Sequence, residues 1–83
     1  MLSSDWKPEY SRWRHGGWYV HNVRYPSGAC GCVSSNYADK KWRIVDDRRA
    51  GEHTYKTRDA AAFAELQIAE AEHKAMAPWL AGL

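Results

Sequence analysis

The stretch "TRDAAAFAELQIAEAEHKA", residues 57–75, decides how the rest of the chain is read. It is rich in Ala, Glu, Leu and Gln and free of Gly and Pro, so nothing in it resists the helical backbone. Thr57 is placed to cap its start, and Asp59 falls in the first turn, where the helix dipole favours a carboxylate. A helix is therefore expected from Arg58 to about Ala75, ended by Pro78. On a helical wheel Ala60, Ala61, Ala64, Ile68, Ala71 and Ala75 form one stripe of mostly small side chains. Such a stripe fits closely against a sheet covered in large rings. Ala62, Phe63, Leu66, Ala69 and Met76 fall off it and are left to wrap the sheet edge or to offer a contact surface.

Upstream of the helix the side-chain period changes to two. "WYVHNVRY", residues 18–25, is β-branched and aromatic and reads as a strand. Alternation puts Tyr19, His21, Val23 and Tyr25 on one face and Trp18, Val20, Asn22 and Arg24 on the other. Pro26-Ser27-Gly28 supplies a turn, and "ACGCVS", residues 29–34, returns as a second strand. "SNYADK" turns again into "KWRIV", residues 41–45, a third strand with Trp42 and Ile44 opposite Lys41, Arg43 and Val45. "DDRRAGE" is a charged loop, and "HTYK", residues 53–56, reads as a short fourth strand or an extended lead-in to the helix. In residues 1–16 Trp6, Tyr10 and Trp13 are spaced by four and three, as on a short helical turn or an arm pinned by its rings. The expected architecture is α+β: an aromatic arm over 1–16, then a single domain over 17–83. In that domain an antiparallel meander of three to four strands carries one long C-terminal helix on one face and a short apolar tail.

Eighty-three residues make one domain near the lower limit for a hydrophobic core unaided by metals or disulfides. Five Trp, five Tyr and one Phe outweigh the few Leu, Ile and Val, so a core of indole, phenol and alanine is expected. No apolar run approaches the ~20 residues of a membrane span, and the start lacks the basic-then-apolar order of a signal peptide. A cytoplasmic protein with reduced thiols and no membrane partner is the expectation. Residues 1–58 hold eleven Lys/Arg against six Asp/Glu, a net +5; residues 59–83 hold one Lys against four Asp/Glu, a net −3. The basic part allows a polyanionic partner.

Cys30 and Cys32, the chain's two cysteines, are separated by Gly31. A zinc site would need them together with His21 and His53, but the spacing is shorter than zinc pairs use and the histidines show no ligand pattern. A redox pair prefers two intervening residues and a helix N-terminus. The thiols therefore read as small buried hydrophobes, with Gly31 leaving room for a ring or a backbone to approach. No GxSxG, HExxH or phosphate-loop motif occurs, and no cofactor, metal or catalytic role is expected.

Basic residues alternate with rings instead. Arg14, Arg24, Lys41, Arg43 and Lys56 are the candidates for nucleic-acid contact, with the sheet face away from the helix as the recognition surface. The segment "KWRIVDD…EHTYKTRDAAAFAELQIAEAE" resembles the three-strands-plus-helix DNA-binding domains, namely the AP2 domain and the arm-binding domain of phage integrases. That resemblance implies a sheet laid in the major groove with Arg24, Lys41, Arg43 and Lys56 near DNA. The Trp-, Arg- and Ala-rich style also resembles small proteins of actinobacteria and their phages, which implies a viral setting in a host cytoplasm. The alternative is a module that binds or inhibits a host protein, or a homodimer, docking through Phe63, Leu66, Met76, Trp79 and Leu80.

Overall fold

A computed structural model describes residues 6–81, with side chains through Met76. Four strands precede one helix: β1 (Tyr10–Trp13), β2 (Gly17–Arg24), β3 (Cys30–Ser34), β4 (Arg43–Ile44) and α1 (Arg58–Ala81). The strands form a single antiparallel sheet in chain order, and α1 packs on β2, β3 and β4. This is the expected two-layer α+β arrangement. Among the described residues no helix is long and apolar enough to cross a membrane.

The fourth strand lies in the segment expected as a helical turn or pinned arm, and 53–56 takes the extended lead-in of its two expected forms. Tyr10–Trp13 forms an edge strand rather than a helical turn, while "HTYK" contributes only the bridge Trp42↔Tyr55. In a strand a spacing of three sends the two rings to opposite faces. Tyr10 thus meets Trp18 on the helix side, with ring centroids 6.3 Å apart, and Trp13 meets Tyr19 on the other side at 6.4 Å.

The β2–β3 turn forms where Pro26 and Gly28 predict it. The Gly28 N–H donates to the Tyr25 carbonyl at 2.8 Å, with Gly28 at φ +94°. Before this turn the register slips: Val20 pairs with Gly31, but the next pair is Arg24 with Cys30. This bulge puts Val20 and Val23 on the same, buried side and turns Arg24 to the face opposite α1, so the alternation predicted for 18–25 fails after Val20. Asn22 sits in the irregular segment. Its amide donates to the Lys7 carbonyl at 2.7 Å and accepts from the Glu9 N–H at 3.1 Å, and the His21 N–H donates to the Glu9 carbonyl at 2.7 Å.

The core is aliphatic. Val20, Val23, Val33 and Ile44 from the sheet pack against Ala61, Ala62, Leu66 and Ala69 of α1. Trp6, Tyr10, Trp18, Tyr25, Trp42 and Tyr55 are partly buried around that centre, which corrects the expected core of indole. The buried side of α1 lies roughly a third of a turn from the predicted stripe. Ala60, Ala71 and Ala75 are exposed, while Leu66, assigned to a protein interface, is core. The helix also runs past Pro78 to Ala81, since a proline near the end deletes one bond from the ladder without undoing its neighbours.

At the helix start Thr57 Oγ1 accepts from the Ala60 N–H at 3.0 Å, the geometry of an N-cap. Asp59 in the first turn accepts from the Tyr10 hydroxyl at 2.5 Å, and the Arg58 guanidinium lies 3.9 Å from the Tyr10 ring centre and 4.8 Å from that of Trp18. Replacing Thr57 by Ala is expected to cost about 1 kcal/mol. For a domain of this size that lowers the melting temperature by roughly 4–8 °C, read from the loss of helical circular dichroism on heating.

Candidate functional site

Two features remain after the core is accounted for: the sheet face turned away from α1, and a cavity at the β3–β4 end of the helix–sheet interface.

Cross-strand pairing builds the outer face. Ser11 faces Tyr19, Tyr19 faces Cys32, and Arg24 faces Cys30. Trp13 and Tyr19 are half-buried and His15 and His21 are exposed. The rings run in a row: His15 to Trp13 at 4.9 Å, Trp13 to Tyr19 at 6.4 Å, Tyr19 to His21 at 6.4 Å. His21 Nε2 is 2.5 Å from Ser11 Oγ, which fixes the imidazole at the end of the row. Among the described residues the single helix lies on the other side, so this row faces outward.

The cations proposed for nucleic acid divide into two groups. Arg43 is committed. It makes a bidentate pair with Asp39 at 2.7 and 2.8 Å, approaches Glu52 at 3.5 Å, and lies 4.8 Å from the Tyr37 ring centre. The pairing holds the Asp39 carboxyl well below its ordinary range. Arg24, Lys41, Lys56 and Arg14 are exposed. Arg24 donates to the Gly28 carbonyl at 3.1 Å, and Arg14 Nε approaches His15 Nε2 at 3.3 Å, so these two guanidinium groups flank the ring row. Arg14 lies in the β1–β2 turn and Arg24 at the far end of β2, a strand that spans roughly 20 Å.

The residues expected for other partners lie in different settings where they are described. Phe63 is 39% exposed and packs its ring 6.2 Å from Trp6; Met76 is exposed, Leu66 is in the core, and the side chains of Trp79 and Leu80 lie outside the described residues. Cys30 and Cys32 are free and half-buried. His21 is engaged by Ser11 and His53 Nε2 by the Ala50 carbonyl at 3.0 Å, and no group of three metal-ligating side chains forms among the described residues.

The cavity measures about 220 Å³ and is bordered by Tyr25, Cys30, Ile44, Asp46, Glu65 and Ile68, among others. Glu65, one turn beyond Ala61 on the buried side of α1, is 1% exposed. Its Oε1 accepts from the Cys32 N–H at 2.8 Å and its Oε2 from the Tyr25 hydroxyl at 2.6 Å. β4 is only two residues long, so Glu65 supplies the acceptor for an N–H that a longer strand would have paired. Gly31 makes this reach feasible: a Cβ there would stand 2.6 Å from Glu65 Oε1. The glycine therefore admits a carboxylate, not the ring or backbone expected. Burial pushes the Glu65 carboxyl up to about 7, against the lowering by its two hydrogen bonds and helped by Asp46 and Asp47. Burial and then Glu65 push the Cys32 thiol up to about 11, which keeps it protonated and unreactive at neutral pH. Glu65 is not among the sequence candidates. The available signal was one carboxylate spaced four residues from both Ala61 and Ala69, opposite a strand glycine.

No family model, no curated protein and no solved structure matches this chain.

Proposed function

We propose that the protein is a non-enzymatic binding module that takes a nucleic-acid strand across the outward face of its sheet, with bases stacked on Trp13 and Tyr19. The observation that carries this reading is the row His15–Trp13–Tyr19–His21, set on two neighbouring strands and the turn that joins them and left uncovered by the helix. Base–aromatic stacking needs such a platform and tolerates any sequence, because every base has a π-face. The charge balance agrees. The sheet-bearing residues 1–58 carry a net +5, and the acidic Glu70 and Glu72 are exposed on the helix layer. A polyanion is thus drawn to the sheet side. Arg43 is clamped by Asp39, which disfavours the groove-reading role implied by the AP2-like resemblance; Arg14 and Arg24, at the ends of the row, are the better phosphate contacts. A single strand therefore suits the surface better than a duplex.

Titration of tryptophan fluorescence with single-stranded DNA, single-stranded RNA and the matching duplex tests this. Single strands should bind more tightly, with log K falling linearly in log salt by about 0.7 for each phosphate contacted. Arg14→Ala combined with Arg24→Ala should make that slope shallower by about 1.4. Absence of binding by every oligonucleotide at low salt would end the proposal.

A further inference from the structure

The middle of α1 is held to β3 by a carboxylate with no cation beside it. Glu65 has no ion-pair partner among the described residues. The groups around it are Tyr25 from the β2–β3 turn, Cys30 and Cys32 from β3, Asp46, Asp47, Arg48 and Arg49 from the segment after β4, and Glu72 from α1 itself. Neither arginine answers the buried charge. Arg49 is bound to Asp47 at 2.7 and 2.9 Å and to the Tyr55 hydroxyl at 3.0 Å; the Arg48 side chain is 81% exposed beside Asp46. His73, two turns further along α1, is turned to the Arg24 carbonyl at 2.8 Å.

We infer that Glu65 is a proton-operated latch: protonated, it locks α1 onto β3, and ionised, it releases that contact and moves through the adjoining cavity toward water. The protonated carboxyl keeps both bonds, since its carbonyl oxygen accepts from the Cys32 N–H while its O–H donates to the rotated Tyr25 hydroxyl. The ionised form also accepts both, but as a buried charge facing Asp46 and Asp47 it is costly to keep there. The cavity of about 220 Å³ beside it gives the carboxylate a route to solvent. Leaving by that route frees the Cys32 N–H.

The sign follows from linkage. The closed-state carboxyl titrates at about 7 and the open-state one near its ordinary value of 4.5. The latch is then fully effective below the open-state value, weakens as pH rises, and is lost once pH passes the closed-state value. Hydrogen exchange at the Cys32 amide, corrected for intrinsic rate, should lose protection about thirtyfold between about pH 5.5 and about pH 8.5. Glu65→Gln keeps the shape and both bonds without a charge, so its protection should be flat over that range. An equal pH dependence in Glu65→Gln overturns the latch. Should that variant fail to fold, the wild-type Glu65 carboxyl carbon shift decides alone. A midpoint near neutrality, tracked by the Cys32 amide, supports the latch, and a midpoint in the ordinary carboxylate range overturns it. Neither readout involves nucleic acid, so the latch and the ring platform stand or fall separately.

Discussion

Gly31→Ala is expected to destabilise the domain by about 3 kcal/mol, and Glu65→Ala introduced with it is expected to remove the larger part of that cost. A methyl group at position 31 would stand 2.6 Å from Glu65 Oε1, 3.0 Å from its Cδ and 3.1 Å from Val23 Cβ. Val23 is fully buried and cannot retreat without disturbing the core. Glu65 can move, but only by giving up the Cys32 N–H and the Tyr25 hydroxyl, which leaves a buried donor unpaired. Overpacking costs about 1–3 kcal/mol and an unsatisfied buried polar group about 1–3 kcal/mol, so the two together set the scale. Urea unfolding of the wild type, both single variants and the double variant at mildly acidic pH measures the coupling. In the Glu65→Ala background the alanine at 31 meets no carboxylate, and its own cost should fall to about 1 kcal/mol, set by its approach to Val23 Cβ at 3.1 Å. Additive effects would mean that the glycine is needed for something other than the carboxylate above it.

The same pair shows which parts of the molecule were legible in the sequence. The helix start, the β2–β3 turn and the strands at 18–24 and 30–34 carry strong local signals, a cap, a Pro-Gly turn and β-branched runs, and all appear. The orientation of α1 was not legible. Alanine occurs on every side of this helix, so the apolar contrast that orients a helix is weak, and a glutamate occupies its buried side. The bulge after Val20 was hidden for a related reason: alternation was extended through His21 and Asn22, although two valines three apart cannot both be buried by alternation alone. Residues 1–16 read as a short helical turn or a pinned arm because Trp6, Tyr10 and Trp13 are spaced by four and three, and a spacing of three also suits a strand with a ring on each face. That last ambiguity mattered most, since the edge strand supplies half of the ring platform. On β3 the residue that shapes the interface with α1 is Gly31, not either of the cysteines beside it.

Trp13→Ala combined with Tyr19→Ala is expected to lower affinity for single-stranded nucleic acid by between about thirtyfold and about twenty-thousandfold, at about 1–3 kcal/mol for each stacked base. Both rings point away from α1 but are half-buried against each other, so the variant should lose some stability while the core stays intact, and its affinity is read on the folded fraction. Trp18 is the matched control. It lies on the helix side, with the guanidinium groups of Arg12 and Arg58 at 5.2 and 4.8 Å from its ring centre, and it packs against the core. Trp18→Ala should therefore lower stability while the folded fraction binds as before. The salt dependence separates stacking from charge. Removing rings leaves the phosphate contacts in place, so the double variant should show weaker binding with an unchanged slope, whereas removal of Arg14 and Arg24 changes the slope itself. If the ring variant binds single strands as tightly as the wild type, the outward rings are not a base platform, however well the arginine variants behave. A result confined to the arginines would describe a basic surface that attracts any polyanion, and the sheet face would have lost its claim to be the site.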